Sequence, residues 1–232
     1  RQPAHNTGIA GIKPTRGLIP NTGNVPNDGR GLLGPLTSYG PMARFVDDLI
    51  LSLPLLAGPD YADPDMRAIS TSKSQPNFKS LRIAFYTDNE IAKPDTATLN
   101  TMHQVISVLQ TEVKHIEARC PPHLIELYSL ITETFFLGGD KGLGLKNLFS
   151  QLGIKKPSYL VREFLAISRT CEFSVTNLHQ RLRRIDQIRI ALENFFSSYD
   201  AIICPVAATP AKLHGRSFIE GHDFSYLNIF NL

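Results

Sequence analysis

The chain has 232 residues, with 24 Lys plus Arg against 21 Asp plus Glu and a formal net charge of +3 at pH 7. This length and a hydrophobic content of 42% predict a folded chain with its own core and argue against global disorder. The small net charge does not by itself indicate a nucleic-acid or membrane surface.

Cysteine spacing and hydropathy exclude further classes. The three cysteines lie far apart, at Cys120, Cys171 and Cys204, so neither a disulfide framework nor a Cys-x-x-Cys zinc site organises the fold. No apolar run reaches about 18 residues, the length that indicates a transmembrane helix. No leader-like segment follows Arg1, which leaves the localisation unknown with the cytoplasm as the default expectation.

The segment 1–40 is rich in glycine and proline and has no regular periodicity. Apolar residues such as Ile9, Ile12 and Leu18 run through it, which predicts a packed loop rather than a flexible tether. Residues 1–8 are expected to lie in the middle of this loop. A natural terminus is usually polar and exposed, so the apolar residues 226–230 at the other end are expected to need a covering partner, and the chain to be a segment of a longer protein.

A helix is predicted from Pro41 to about Leu56, stopped by Gly58. Its spacing predicts a stripe of core-facing residues, namely Val46, Leu49, Ile50, Leu53 and Leu56. Asp47 and Asp48 lie near its start, where the helix dipole favours negative charge.

The middle of the chain alternates strand and helix patterns. A strand at 81–86, a helix from Pro94 to about residue 111 and a strand at 113–116 together indicate a βαβ unit. Helices are predicted over 124–136 and across a long zone at 158–198. A buried strand is predicted over 200–205 and loop thereafter, which makes the class α/β.

No self-contained active site follows from these residues. Ser70 and Lys73 match Ser-x-x-Lys but lie in a polar connection with no apolar wall to lower the lysine pKa. The seven histidines have no zinc-site spacing, and the glycines from Gly139 to Gly144 match no phosphate-binding motif. The arginines of the last helix, Arg181, Arg183, Arg184 and Arg189, are interpreted as a solvated face.

The two ends of the chain carry a more specific signal, because they resemble the amidase signature family. The order and spacing match closely in Arg1–Ala4, Gly8–Pro20, Gly40–Arg44, Val46–Asp48 and Leu56–Asp60, and more loosely in Tyr199–Pro205 and Tyr226–Leu232. Residues 61–198 fit the order of elements without a specific motif. The resemblance therefore implies an α/β fold with a mixed sheet covered by helices, incomplete at both ends.

The resemblance implies one partial amidase domain over 1–232, comprising a signature-derived loop and helix at 1–60, an α/β and helical part at 61–198 and a substrate-side loop at 199–232. Members hydrolyse amides with a serine nucleophile, a bridging serine and a lysine, while backbone N–H groups bind the oxyanion. All of these groups precede the position matched by Arg1, so no catalytic residue is assigned to this chain. Arg1 is expected to brace the nucleophile loop.

The same resemblance implies that Cys204, Val206 and Ala207 line the acyl-binding pocket. It implies no cofactor and no metal, and a small-molecule amide as the substrate of the complete protein. No nucleic-acid partner is expected, since the chain lacks a strong basic stripe, and the oligomeric state is not readable.

Two functional hypotheses remain open from the sequence. The chain is either a segment of an amidase-type hydrolase that is not competent alone, or a non-catalytic amidase-like product that acts only as a binding or partner module. An unrelated hydrolase using Ser70 and Lys73 is a third possibility, which would require covalent labelling of Ser70 by a fluorophosphonate.

Overall fold

The structure of the chain is a computed structural model, which describes residues 1–24, 34, 36–67, 76–137, 143–170, 174–217 and 219–231. The helices are α1 (Gln2–Thr7), α2 (Val46–Leu56), α3 (Thr96–Glu112), α4 (Leu124–Leu137), α5 (Leu143–Gln151), α6 (Tyr159–Thr170) and α7 (Val175–Phe196). The strands are β1 (Ala10–Gly11), β2 (Met42–Ala43), β3 (Arg82–Phe85), β4 (His115–Ala118) and β5 (Ala201–Ile203). A 3₁₀ turn at Phe78–Ser80 and a C-terminal 3₁₀ segment at Gly221–Asn231 complete the described elements.

The predicted βαβ unit is confirmed and forms the centre of a parallel sheet. β3 pairs in parallel with β4 on one side and with β5 on the other, giving the order β4-β3-β5. α3 connects β3 to β4, and Asp95 begins it by accepting a 2.8 Å hydrogen bond from the backbone N–H of Thr98. With a separate antiparallel pair of β1 and β2, the α/β class is confirmed.

The first segment differs from the prediction in two places. Residues 2–7 form helix α1, which has proline in its first turn and ends at Gly8 in the left-handed region with φ of 65°. The predicted helix from Pro41 instead begins at Val46, since residues 42–43 pair with β1 and Phe45 remains extended.

Gly40 explains why the chain leaves the helical path there. A Cβ atom at Gly40 would lie 2.0 Å from the carbonyl oxygen of Ile12 and 2.7 Å from Pro14 Cδ, so only glycine allows the two loop segments to approach. The N–H of Ile12 donates to the carbonyl of Pro41 at 3.2 Å. These contacts are remote in sequence and compete with the local preference for helix.

The predicted core-facing stripe of α2 is largely wrong. Of its five residues only Leu49 is buried, at 7% exposure, whereas Val46 and Ile50 are 62% and 66% exposed. Periodicity identified the helix correctly, but no described element covers most of its surface.

The C-terminal segment is covered by the chain itself, contrary to the expected need for a partner. Tyr226 and Ile229 are 1% and 5% exposed. Ile229 packs into a core cluster with α4 and α7, whose members are Leu127, Ile131, Ile188 and Leu192. The 3₁₀ segment therefore acts as an internal element of the core rather than as a loop.

The helical zone divides into two helices, and one helix was not predicted. Ser174 caps the start of α7: its hydroxyl accepts a 3.1 Å hydrogen bond from the N–H of Asn177. α5 begins at Leu143 in the predicted glycine-rich loop, and most of that motif, like Ser70 and Lys73, lies outside the described residues. Arg181 and Arg184, interpreted from the sequence as part of a solvated face, are partly buried and form ion pairs with Glu133 and Glu126 of α4, at 2.8 and 2.7 Å.

Candidate functional site

The candidate site lies at the carboxyl edge of the parallel sheet. β3 is followed directly by Tyr86 and β5 by Cys204, and the N–H of Tyr86 donates to the carbonyl of Ile203 at 3.1 Å. In open α/β sheets, ligands bind in the crevice outside this edge. Two segments remote in sequence, α1 and the C-terminal 3₁₀ segment, also reach it.

The loop after β5 is fixed by backbone hydrogen bonds on both sides. The carbonyl of Ala208 accepts a 2.8 Å hydrogen bond from the N–H of Asp95. The N–H of Ala208 donates to the carbonyl of Asp223 at 2.9 Å. Pro205 is buried beside it and has no N–H to satisfy. The loop is therefore held between the start of α3 and the 3₁₀ segment.

The three predicted substrate-side residues share this loop but differ in exposure. Cys204 is half-buried, Val206 is 39% exposed and Ala207 is 1% exposed. Val206 offers its side chain to the outside, whereas Ala207 packs inward and lets the loop approach the sheet. Burial raises the pKa of the Cys204 thiol to about 11, which keeps it neutral near pH 7.

Two stacked tyrosines form the floor beneath the loop. The rings of Tyr86 and Tyr226 lie 6.2 Å apart with an interplanar angle of 18°. The hydroxyl of Tyr226 donates to the carbonyl of Ala92 at 2.8 Å and lies 3.2 Å from the backbone carbonyl oxygen of Thr87. The hydroxyl of Tyr86 has no oxygen or nitrogen partner among the described residues, and burial, together with the nearby Cys204, raises its pKa.

Arg1 reaches the site from the start of α1. One guanidinium nitrogen donates to Asn231 Oδ1, and the guanidinium carbon lies 5.5 Å from the centre of the Phe230 ring. Its Nη1 is buried without an acceptor among the described residues. Burial lowers the pKa of Arg1, and burial and the charge of Arg1 together lower the pKa of Lys13.

An open cleft continues from the loop. Its volume is about 340 Å³, and it is lined by Thr209, Pro210, Ala211, Lys212, Leu213, Arg216 and Glu220. Lys212 forms ion pairs with Glu220, at 2.8 Å, and with Asp223. His5 of α1 contacts Thr209 of this lining: its Nε2 lies 3.0 Å from the Thr209 carbonyl and must donate to it.

The tyrosine pair was not predicted from the sequence. Tyr86 immediately follows β3, so its position at a strand's carboxyl end was a usable signal. Tyr226 gave none, because its partners lie more than a hundred residues away. Within the described ranges, no three His, Cys, Asp or Glu side chains come together as a metal site, and no helix is both long and apolar enough to cross a membrane.

Comparison with known proteins identifies relatives of the chain. The family model described as Amidase matches residues 1–232. The acylamidase of Rhodococcus erythropolis is 37% identical over 95% of this chain and 46% of its own length. The indoleacetamide hydrolase of Bradyrhizobium japonicum is 43% identical over 28% of this chain and 14% of its own.

The fold agrees with solved structures. A fatty acid amide hydrolase superposes with a TM-score of 0.81 at 20% identity, covering 99% of this chain and 41% of the other. At this identity the likeness concerns the fold alone. The chain spans less than half the length of each of these three proteins.

Proposed function

The chain belongs to the amidase family, and from that membership we propose that it supplies the acyl-group side of an enzyme that hydrolyses a carboxamide C–N bond. The family match over the whole of residues 1–232 carries the proposal. The loop at the carboxyl edge of the sheet, held on both sides by backbone hydrogen bonds, supports it as a preformed wall for a substrate.

Within this proposal, Cys204, Val206 and Ala207 line the acyl pocket. Val206 contacts the acyl group with its exposed side chain, and Ala207 supports the loop from within. Cys204 contributes a neutral apolar contact rather than a nucleophile, because its pKa of about 11 leaves little thiolate near neutral pH. An apolar wall of this kind favours a small amide with a hydrocarbon acyl group.

The chemistry of bond cleavage lies with residues outside this chain. The nucleophile, the bridging serine and the lysine precede Arg1 in the family pattern, so the chain alone is not competent. Arg1 holds the start of α1 against the C-terminal 3₁₀ segment through Asn231 and Phe230, and it is not itself a reacting group. The domain organisation follows, with residues 1–232 as one partial amidase domain.

The test compares the chain alone with the chain co-expressed with the acylamidase portion that precedes the match. The assay uses p-nitroanilides with acetyl, hexanoyl and decanoyl groups. We expect no turnover and no fluorophosphonate labelling for the chain alone, and turnover for the pair. Absence of turnover by the pair with every substrate would contradict the proposal, and labelling of Ser70 in the chain alone would support the unrelated hydrolase instead.

The acyl-pocket assignment has its own readout in the active pair. Val206→Phe should lower kcat/KM for the decanoyl substrate relative to the acetyl substrate, because the larger ring fills space that the longer chain needs. Val175→Phe is the matched control, since Val175 lies at the start of α7 and is 77% exposed. An unchanged ratio in Val206→Phe would remove Val206 from the pocket.

A further inference from the structure

The cleft beyond Thr209 lies outside the proposed acyl pocket and follows it along the chain. Val206 and Thr209 are three positions apart on the same loop, and Thr209 lines the cleft. The cleft has a volume of about 340 Å³, which falls within the range of about 300–1,000 Å³ that is typical of small-molecule sites. It is therefore large enough to hold the far end of a substrate whose acyl group lies along this loop.

The carboxylates of the cleft are partly buried and already paired. The side chains of Glu220 and Asp223 are 25% and 9% exposed. Glu220 Oε1 accepts a 2.8 Å hydrogen bond from Arg216 Nε, and its Oε2 lies 2.8 Å from Lys212 Nζ. Asp223 Oδ2 pairs with Lys212 and accepts a 3.2 Å hydrogen bond from the Thr209 hydroxyl. These negative charges are therefore engaged within the chain.

Arg216 is the charged group that remains open to the cleft. Its side chain is 57% exposed, whereas that of Lys212 is 13% exposed. Its Nε and Nη2 both donate to one oxygen, Glu220 Oε1. A guanidinium group has five N–H donors, and the two on Nη1 have no acceptor within the described ranges. The cleft therefore offers unused donors beside a positive charge.

Apolar side chains line the same cleft. Pro210, Ala211 and Leu213 belong to its wall, and Leu213 is 82% exposed. A hydrocarbon chain that packs against these side chains loses contact with water, which is favourable. The cleft thus suits a ligand that is apolar along its length and carries a hydrogen-bond acceptor at its end.

We propose that this cleft binds a carboxylate at the far end of the acyl group, so that the substrates are monoamides of dicarboxylic acids, an inference that rests on the proposed function. The free edge of the Arg216 guanidinium matches the two oxygens of a carboxylate, and such charge-assisted pairs are the stronger hydrogen bonds. The hydrocarbon part of the acyl group lies against Val206 and Leu213. A terminal ammonium group is disfavoured, because it would meet the positive charge of Arg216 and carboxylates that are already paired.

The experiment measures binding to the 232-residue chain by ligand-observed NMR titration, so it requires no turnover. The probe is adipamic acid, the monoamide of a dicarboxylic acid. Hexanamide is its uncharged match, and the amide of aminocaproic acid carries an ammonium group at the same end. Arg216→Gln removes the guanidinium group. Arg183→Gln on α7 is the matched control, because Arg183 is exposed and has no ion pair among the described residues. Circular dichroism of each variant checks that the fold is retained.

We expect adipamic acid to bind at least about tenfold more tightly than either of the other two amides, because only its end pairs with the guanidinium group. Arg216→Gln should remove this preference, whereas Arg183→Gln should leave it within about twofold. Arg216→Lys keeps the charge but not the planar fork and should retain only part of the preference. Equal binding of adipamic acid and hexanamide by the unaltered chain, or a preference that survives Arg216→Gln, would overturn the inference.

Hydrolysis by the co-expressed pair separates failure of this inference from failure of the proposed function. If the pair hydrolyses the hexanoyl anilide but the chain shows no preference for adipamic acid, the proposed function stands and the carboxylate site fails. If adipamic acid binds in an Arg216-dependent manner but the pair hydrolyses none of the anilides, the carboxylate site stands and the proposed function fails.

Discussion

The stacked tyrosines allow a test in which two similar substitutions should change the free energy of unfolding differently. Tyr226→Phe removes a hydroxyl that donates to the carbonyl of Ala92 at 2.8 Å, and Tyr226 is only 1% exposed. Tyr86→Phe removes a hydroxyl that is buried beside the Cys204 thiol, with no oxygen or nitrogen partner among the described residues. In both variants the ring stacking is retained, so the comparison isolates the two hydroxyl groups.

The expected magnitudes follow from hydrogen-bond energetics. A neutral buried hydrogen bond contributes about 1 kcal/mol net, and an acceptor left unsatisfied costs about 1–3 kcal/mol. We therefore expect Tyr226→Phe to lower the free energy of unfolding by about 1–2 kcal/mol. Tyr86→Phe should leave it unchanged or raise it by up to about 1 kcal/mol, because a desolvated donor is removed.

Thermal unfolding followed by far-ultraviolet circular dichroism measures the difference. For a chain of this size 1 kcal/mol shifts Tm by about 2–4 °C, so Tyr226→Phe should lower Tm by about 2–8 °C. Tyr61→Phe is the control, since Tyr61 is 96% exposed and its hydroxyl should contribute little. Equal losses for Tyr86→Phe and Tyr226→Phe, or an unchanged Tm for Tyr226→Phe, would refute the reasoning.

Two other predictions concern the signature loop and the Cys204 thiol. Gly40→Ala should abolish or strongly reduce soluble folded chain in an expression assay, because its Cβ would lie 2.0 Å from a carbonyl oxygen, whereas Gly221→Ala meets no atom within 4 Å and should behave like the unaltered chain. In a Cys120→Ser/Cys171→Ser background, the rate of iodoacetamide modification of Cys204 should rise tenfold per pH unit up to about pH 11, where burial places its pKa; a plateau below pH 9 would contradict this. Between about pH 8.5, the pKa of an unfolded thiol, and pH 11, the Cys204 thiol stays protonated in the folded chain but is ionised in the unfolded chain. The free energy of unfolding should therefore fall as the pH rises through this range.

Elements with strong local signals could be predicted from the sequence. The strand at β3 and the helix after Asp95 were correct within one or two residues, because a cap and a periodic apolar face fix them locally. The start of α2 was wrong by several residues, because the pairing of β2 with β1 depends on contacts between residues about thirty positions apart. Local helix propensity does not show that residues 42–43 pair with β1 instead of continuing the helix.

The candidate site was less predictable than the fold. Cys204, Val206 and Ala207 came from a family resemblance. The loop that carries them is fixed by hydrogen bonds from the neighbouring Ala208 to Asp95 and Asp223, and no local pattern encodes these contacts. The burial of the C-terminal 3₁₀ segment was missed for the same reason. Its apolar residues signalled a need for cover but not that α4 and α7 provide it.

The two sides of the molecule should respond to different experiments. The side with Tyr226 is closed by the chain's own packing, so substitutions there should alter the stability of the chain with or without a partner. The side with Ile50 is open, and a charge placed there loses nothing until a second surface covers it. Because the two positions share no described contacts, their effects should add when Ile50→Glu and Tyr226→Phe are combined. Adding Ile50→Glu to Tyr226→Phe should therefore leave the Tm of the chain where Tyr226→Phe alone sets it.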